Sequence, residues 1–181
     1  IISSSTITNN GNLTSTNLYL QSSSSITNNG NLTINSYISE NTTTVTNNAN
    51  GLITFPSSTF TINNTFTNRG SLTTIGGSLS LIIDSTGKLT QDSKLNLSTL
   101  TIKSNGILTH SANSNTQVYT MNITAINITI ETDGLINVTE KGYTGGLIDG
   151  AGNGPGGAKA RTSTVVGGSG ARIVVVAVSN T

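Results

Sequence analysis

A short anchor returns along the chain: a glycine, then Leu or Ile within two positions, then a polar residue. Its successive forms are GNLT, GNLT, GLIT, GSLT, GKLT, GILT and GLIN, and their spacing is nearly constant except for a longer gap before the last. Self-similarity at a period of about 19 residues indicates supersecondary units that bury their apolar faces on one another. The anchors begin at Gly11, Gly30, Gly51, Gly70, Gly87, Gly106 and Gly134.

Between the anchors, apolar and polar residues alternate with a period of two, which is typical of strands with one buried face. This alternation places Ile126, Ile128 and Ile130 on such a face. Asn-Asn-Gly and Ser-Asn-Gly before the anchors are turn sequences, because Asn and Gly tolerate positive φ. A strand-and-turn unit of about 19 residues is too short for a propeller blade and suits one coil of a solenoid. We therefore predict an all-β chain folded as a parallel β-helix (β-solenoid), in which seven coils form a rod on the order of 34 Å long.

The coil positions also predict which side chains stack. Leu, Ile, Val and Phe point inward, while Ser, Thr and Asn point outward into water. Asparagines at equivalent corners are expected to form a side-chain ladder of the kind that stacked strands favour. The residues concerned are Asn9, Asn28 and Asn47.

The composition is polar but poor in charge. Serine, threonine and asparagine supply 80 of the 181 residues, whereas charged residues are 8% and the net charge is +1. This balance gives no electrostatic basis for nucleic-acid binding. No apolar run is long enough to span a membrane, and the absence of cysteine excludes a disulfide framework. Because the chain begins at Ile1 and lacks a signal peptide, we expect a processed chain or a fragment.

The sequence divides into three parts. Residues 1–140 carry the solenoid repeats, 141–171 form a glycine-rich loop segment, and 172–181 form a terminal apolar strand. An apolar run without alternation suggests a strand covered on both faces. This strand is expected to pack on or extend the solenoid, or to enter a neighbouring subunit as an assembly strand. Its apolar residues are Ile173, Val174, Val175, Val176 and Val178.

A Thr-x-Thr array is the first candidate binding surface. Its rows recur at nearly constant spacing, which predicts two columns of hydroxyls on one outer face, with Ile7, Ile26, Val45 and Phe66 pointing inward. Such a face resembles the ice-binding face of antifreeze β-solenoids, although Thr is also a common residue on exposed strands. The pattern is expected to end at the sequence Asp-Ser-Thr of residues 84–86. The array comprises Thr6, Thr8, Ser25, Thr27, Thr44, Thr46, Thr65 and Thr67.

Sequons for N-glycosylation are the second candidate feature. The chain contains eight Asn-x-Ser/Thr sequences, and its Asn, Ser and Thr content alone predicts about seven, so their number carries no information. Their expected outward positions make them usable acceptors in a glycosylating organism. The candidates are Asn12, Asn31, Asn41, Asn63, Asn96, Asn122, Asn127 and Asn137.

Catalytic residues are not apparent in the sequence. The seven acids are spread thinly, and His110 is the single histidine. Glu131 and Asp133 are expected to share strand parity, and Glu140 lies nearby. These acids could bind a cation, or they could be solvated residues of a long turn. The glycine-rich segment lacks the Gly-Lys-Ser/Thr ending of a phosphate-binding loop. We therefore expect no enzyme activity, no catalytic or metal-ligating residues and no cofactor.

The anchors GNLT, GSLT, GKLT and GILT, with their Asn-Asn-Gly turns, resemble the coils of filamentous-haemagglutinin-type adhesins and autotransporter passengers. The ending GPGG…GGSGARI looks like loops of very large β-helical surface proteins. The resemblance covers about residues 3–140 and implies a right-handed β-helix on the cell surface, secreted and extracellular.

Two classes of function follow as expectations. The first is a non-enzymatic structural subunit of a surface filament or adhesive fibre, which assembles with itself through apolar ends. The second is a binding segment that recognises surface glycans or ice. A polysaccharide-active β-helix is the least favoured reading. Glycan adhesion usually uses exposed aromatic residues, and only Tyr19, Tyr37, Tyr119 and Tyr143 could serve.

Overall fold

The computed structural model describes residues 1–40, 42–55, 57, 59–75 and 77–144, and the backbone of one further strand at 173–177. Over this part of the chain the protein is all-β, and its parallel sheets stack as a β-solenoid of about five turns with a spacing of about 19 residues. The predicted fold class is thereby confirmed.

The described strands form three parallel sheets. The first sheet contains, in spatial order, β1 (Ile2–Ser3), β3 (Asn12–Gln21), β5 (Asn31–Ser39), β7 (Leu52–Phe55) and β10 (Ser71–Thr74). The second contains β2 (Thr6–Asn9), β4 (Ser25–Asn28), β6 (Thr44–Asn47), β9 (Thr65–Asn68), β12 (Lys88–Gln91), β14 (Ile107–Thr109) and β16 (Leu135–Ile136). The third contains β8 (Thr59–Ile62), β11 (Ser80–Ile83), β13 (Lys94–Ile102), β15 (Met121–Ile130) and β17 (Ile173–Ala177).

Each coil has three sides. The middle coils use three separate strands, whereas β3, β5, β13 and β15 each run around a corner. In β13 the buried residues change parity, from Leu95 and Leu97 to Leu100 and Ile102, and the register with β15 skips Ser98. A change of parity within a strand requires a bend, because successive side chains otherwise alternate between faces.

The second sheet shows how the coil length changes along the rod. The first coils keep close to the general spacing, whereas the coil from Thr65 to Lys88 is longer and the one from Ile107 to Leu135 is the longest. The coils are therefore longer in the middle of the rod and again before β16. The extra residues of these coils must be accommodated as loops. The successive register partners that start these strands are Thr6, Ser25, Thr44, Thr65, Lys88, Ile107 and Leu135.

The glycine anchors mark two different corners. The first four precede strands of the first sheet, whereas Gly87, Gly106 and Gly134 precede strands of the second. At both corners the stacked backbones approach so closely that only glycine fits. A Cβ on Gly30 would clash with the carbonyl oxygen of Gly11, and one on Gly106 would lie 2.8 Å from that of Ile83. The number of anchors overestimates the number of turns. The solenoid has about five turns and not seven, because the outer coils are incomplete.

The core is aliphatic except for an aromatic cluster where the coil lengthens. The rings of Phe55 and Phe60 stack with centroids 4.1 Å apart, and Phe66 and Tyr37 lie at 5.6 Å and 5.2 Å from Phe60. Asn64 Nδ2 donates a hydrogen bond to the Tyr37 hydroxyl at 2.8 Å. Burial is the main cause that raises the pKa of Tyr37 to about 12. These ring contacts make the cluster a continuous aromatic part of the core.

The terminal strand β17 pairs in parallel with the first half of β15, with Met121 opposite Ile173 and Ala125 opposite Ala177. It therefore extends the third sheet from within the same chain. Val178 and most of the glycine-rich segment lie outside the described residues.

The expectation that Ile126 and Ile130 are buried is wrong. Their side chains are 43% and 47% exposed. Ile126 occupies the bend at which the register with β13 is interrupted. Ile130 has core parity, but β17 pairs only with residues 121–125 of β15, and no other described strand continues the sheet beyond the second half of β15.

Candidate functional site

A ladder of buried amides runs along the inner side of the second sheet. Nδ2 of Asn9 donates to Oδ1 of Asn28 at 2.8 Å, Asn28 donates to Asn47 at 2.9 Å, and Asn47 donates to Asn68 at 2.8 Å. Asn68 in turn donates to Oε1 of Gln91 at 3.2 Å. The predicted stacking is confirmed and continues two coils further than the three asparagines expected. The expectation that asparagine side chains point outward into water is wrong for this ladder, because its members are buried.

The same amides also hold the turns. Asn28 Nδ2 donates to the carbonyl oxygen of Gly30 at 2.8 Å, and Asn47 Nδ2 to that of Gly51 at 3.1 Å. Each asparagine therefore satisfies the corner backbone of its own coil and links it to the next coil. Asn28, Asn47 and Asn68 are fully buried, where a missing partner would be costly.

The Thr-x-Thr array lies in register on the outer side of the second sheet. One column runs Thr6, Ser25, Thr44, Thr65, and the second runs Thr8, Thr27, Thr46, Thr67. None of these eight side chains is buried. Neighbouring rows lie about 4.8 Å apart, and the two columns lie roughly 6.6 Å apart along a strand. The hydroxyls of Thr6 and Ser25 are 2.8 Å from each other.

The predicted position of the row that follows Thr65 and Thr67 is wrong, although the Thr-x-Thr pattern does fail in that row. The sequence Asp-Ser-Thr of residues 84–86 forms a turn, and the next row in the stack is Lys88–Thr90. Thr90 continues the second column, with Thr67 and Thr109 as register partners on its two sides. The error arose because the coil before this row is longer than the coils that precede it. Lys88 therefore brings one charge into the hydroxyl face.

A further threonine column, on the first sheet, was not predicted from the sequence. Thr14, Thr33, Thr54 and Thr73 are successive register partners on the first sheet. They are the threonines of the first four anchors, so the column could have been predicted from the repeated anchor. This column stands beside Asn12, Asn31, Leu52 and Ser71 and does not form a second array of paired hydroxyls.

The sequons differ in their accessibility. Asn12, Asn31, Asn96, Asn122 and Asn127 are exposed, and Asn31 Nδ2 donates to Asn12 Oδ1 at 2.9 Å.

Two other sequon asparagines are occupied by hydrogen bonds, and one is not described. Asn63 is half-buried, donates to the carbonyl of Ser39 and accepts from its hydroxyl, both at 2.6 Å. Asn137 is half-buried and accepts from Thr139 N at 2.9 Å. Asn41 lies outside the described residues.

An ion pair ties three coils together at the corner after the second sheet. Arg69 Nε lies 3.2 Å from Oδ2 of Asp92, whose side chain is 1% exposed. The alignment is that of an ion pair and not of a hydrogen bond, since Nε has no hydrogen-bond partner. Asp92 accepts from the backbone N–H and the hydroxyl of Ser111, both at 2.7 Å. The Arg69 guanidinium also lies 6.0 Å from the ring centroid of Tyr119.

The remaining candidate residues are not gathered into a catalytic or metal site in the described part of the chain. The ring of His110 is buried, and its Nδ1 lies 2.7 Å from the carbonyl oxygen of Ser111. Glu131 and Asp133 lie in an exposed turn and not on a strand. The expectation that they share strand parity is therefore wrong. Among the described residues, no three His, Asp or Glu side chains cluster closely enough to hold a metal ion.

The tyrosines are split between core and surface. Tyr37 belongs to the aromatic cluster, and Tyr19 is half-buried on the first sheet. Tyr119 and Tyr143 are half-buried, and the Tyr143 hydroxyl donates to Oε1 of Gln117 at 3.1 Å.

The two ends of the solenoid expose apolar side chains. At one end Ile7 on the edge strand β2 is only half-buried, and so is Leu13 in the part of β3 that β1 does not pair with. At the other end β16 is the edge among the described strands of this sheet, and a groove of about 360 Å³ is lined by residues 135–139. In the part of the chain that the structure describes, no helix has the length and apolar character that crossing a membrane requires.

Comparison of the chain with protein-family models, with curated proteins and with solved structures finds no match in any of the three. The geometry thus defines a class, a parallel β-solenoid with an internal amide ladder, an outer hydroxyl array and open edge strands.

Proposed function

We propose that this chain is a non-enzymatic structural segment of an extracellular, cell-surface rod or adhesive fibre. In this proposal the rod grows when a second copy adds its first coil to the last coil of the solenoid. The open edge strand β2 is the observation that carries the proposal. The resemblance of the anchors to adhesin coils supports the surface location, and the hydroxyl-rich exterior suits an extracellular fibre.

The edge of β2 has backbone groups ready for another strand. Ser25 N donates to Ser5 O at 2.9 Å, and Asn29 N donates to Asn9 O at 2.8 Å. Because residues of a parallel ladder alternate in the neighbour that their backbone faces, Ile7 and Asn9 face β4. The N–H and C=O groups of Thr6 and Thr8 therefore face the open edge, which is a template for strand addition.

The opposite end has complementary chemistry. Leu135 N donates to Gly106 O at 3.0 Å and Asn137 N to Leu108 O at 2.8 Å, so the backbone of Ile136 faces away from β14, on the side where no described strand pairs with β16. Adding β2 of a second copy to β16 would place Ile7 on Ile136. This repeats the stacking of Ile7 on Ile26 inside the rod. Such a head-to-tail contact does not close on itself and gives a filament.

The test compares two substitutions at the open edge. Thr8→Pro removes the outward N–H, and proline is tolerated on an edge strand. Thr8→Val removes the hydroxyl and keeps the N–H. Electron microscopy and sedimentation of native protein should show fibres for the parent and for Thr8→Val, and short single rods for Thr8→Pro. Circular dichroism should show that both variants remain folded.

Single rods of the parent at every concentration would contradict the proposal. Fibres of Thr8→Pro as long as those of the parent would do so as well, because growth could not then use the β2 edge.

The Thr-x-Thr array supports a second candidate function, binding of ice. Its two columns stay in register over four rows, and such a regular hydroxyl lattice can order water at a surface. Thr27→Tyr and Thr46→Tyr would disrupt the lattice, whereas Thr33→Tyr on the first sheet is a matched control. Loss of thermal hysteresis in the first two variants alone would support this function. Absence of thermal hysteresis in the parent protein would contradict the ice-binding function.

A further inference from the structure

The wall of the solenoid is interrupted between β10 and β13. β10 is the last strand of the first sheet, and β13 pairs only with β11 and β15 among the described strands. The two flanking walls continue without a break, since β9 pairs with β12 and β11 with β13. The interruption leaves a cleft of about 340 Å³, at the lower end of the range for small-ligand sites.

The cleft has a structural cause. Its two sides are joined at one end by the Ser93 hydroxyl, which donates to Gly70 O at 2.7 Å, and at the other by Ser98 N, which donates to Leu79 O at 2.8 Å. Between these ties one side runs from Gly70 to Leu79, and the other covers the shorter path from Ser93 to Ser98. Because the two sides differ in length, they cannot stay in register, and β10 is not paired with β13 among the described strands.

Backbone groups consequently face the cleft without strand partners. Ser71 N donates to Gly51 O at 2.9 Å and Ile75 N to Phe55 O at 3.1 Å, so these residues face β7. By the alternation of a parallel ladder, the backbone groups of Leu72 and Thr74 face the cleft. Polar backbone groups must find partners in water or in a ligand.

The side chains complete a polar rim over an apolar floor. Leu79 and Leu95 are buried beneath the cleft, and hydroxyl, amide and ammonium groups surround it. Lys94 is the one charged side chain in the lining, and the nearby Asp92 is already engaged by Arg69 and Ser111. The polar lining residues are Ser71, Thr73, Thr74, Ser78, Lys94 and Asn96.

We propose that the cleft between β10 and β13 binds one saccharide unit that carries an acidic group. The ring hydroxyls bond to the backbone groups of Leu72, to the N–H of Thr74 and to polar side chains of the rim. The carbonyl of Thr74 already accepts from the Thr73 hydroxyl at 3.5 Å. Lys94 faces the carboxylate or sulfate of the sugar, and the apolar face of the ring covers the leucines. This site is independent of the rod ends.

The test uses glucuronic acid and glucose as probes, with protein from a host that does not glycosylate asparagine. Nuclear magnetic resonance titration should show shifts in residues 71–74 and 94–96 with both sugars. Lys94→Gln should weaken the binding of glucuronic acid about twofold to fivefold, as expected for one exposed ion pair, and should leave the binding of glucose unchanged. Lys88→Gln, an exposed lysine on another wall, is the matched control.

Shifts that avoid these residues, or equal effects of the two lysine substitutions, would overturn the proposal. Asn96 lines the cleft and belongs to a sequon, so a sugar attached there is a second source of the same chemistry. Protein glycosylated at Asn96 should then no longer bind the added sugar, and Asn96→Gln should restore binding. Unchanged binding by the glycosylated protein would identify the free saccharide as the occupant.

Discussion

Nδ2 of Asn47 lies 2.8 Å from Oδ1 of Asn68, one coil further along the rod, and both side chains are fully buried. Asn47 also accepts from Asn28 at 2.9 Å and donates to Gly51 O at 3.1 Å. One amide therefore links three coils and closes a turn. Because alternating donors and acceptors are satisfied only in one register, the ladder specifies which rows stack on one another.

Asn47→Ala should strongly destabilise the solenoid. The substitution leaves Asn68 Oδ1 and the carbonyl of Gly51 without this donor in a buried setting, and each such group costs about 1–3 kcal/mol. We expect the free energy of unfolding to fall by about 2–4 kcal/mol in urea denaturation. Asn50→Ala, at an exposed turn position, is the control and should change it by less than about 0.5 kcal/mol. A small effect at Asn47 would mean that the ladder does not hold the coils.

Gly70→Ala should destabilise the protein while Gly11→Ala does not. A Cβ on Gly70 would clash with the carbonyl oxygens of Gly51 and Asn48, whereas a Cβ on Gly11 meets no atom within 4 Å. Forcing the coils apart at Gly70 should cost about 1–3 kcal/mol. Thermal unfolding of the two variants measures the difference. Equal melting temperatures would show that the corner at Gly70 can open without loss of packing.

The rows of the first four coils could be predicted from sequence because Thr-x-Thr-Asn recurs at nearly constant spacing. The move of the anchor from one corner to another could not, since Gly-x-Leu-Thr describes a turn and the start of a strand at any corner. The ion pair of Arg69 with Asp92, and the hydrogen bonds of Asp92 with Ser111, each join residues that lie one coil apart. The contact of Arg69 with Asp92 cannot be assigned before the register of the longer coil is known, whereas Asp92 and Ser111 lie at the regular spacing. The cleft also depends on which side of the coil takes up the extra residues.

Tyr37 should make the stability of the protein depend on pH in the alkaline range. Burial raises its pKa to about 12, above the value of about 10 expected in the unfolded chain. The folded state therefore holds the phenolic proton more tightly, and this contribution is fully present below pH 10. It is lost as the pH rises from about 10 to about 12, by on the order of 2–3 kcal/mol in total. Urea denaturation across this range should show the decline, and Tyr37→Phe should flatten that part of the profile.

Asp92→Asn should loosen the loop of residues 110–120 before it affects the rest of the rod. The substitution removes the charge that pairs with Arg69 and weakens two short hydrogen bonds from Ser111, which begins this loop. Because Arg69 is partly exposed, the loss should be about 1–3 kcal/mol, below that of a fully buried pair. Hydrogen exchange should accelerate at 111–120 and remain unchanged in β4 and β6. Asp133→Asn, in an exposed turn, is the control, and faster exchange throughout the second sheet would instead make Asp92 a general support of the fold.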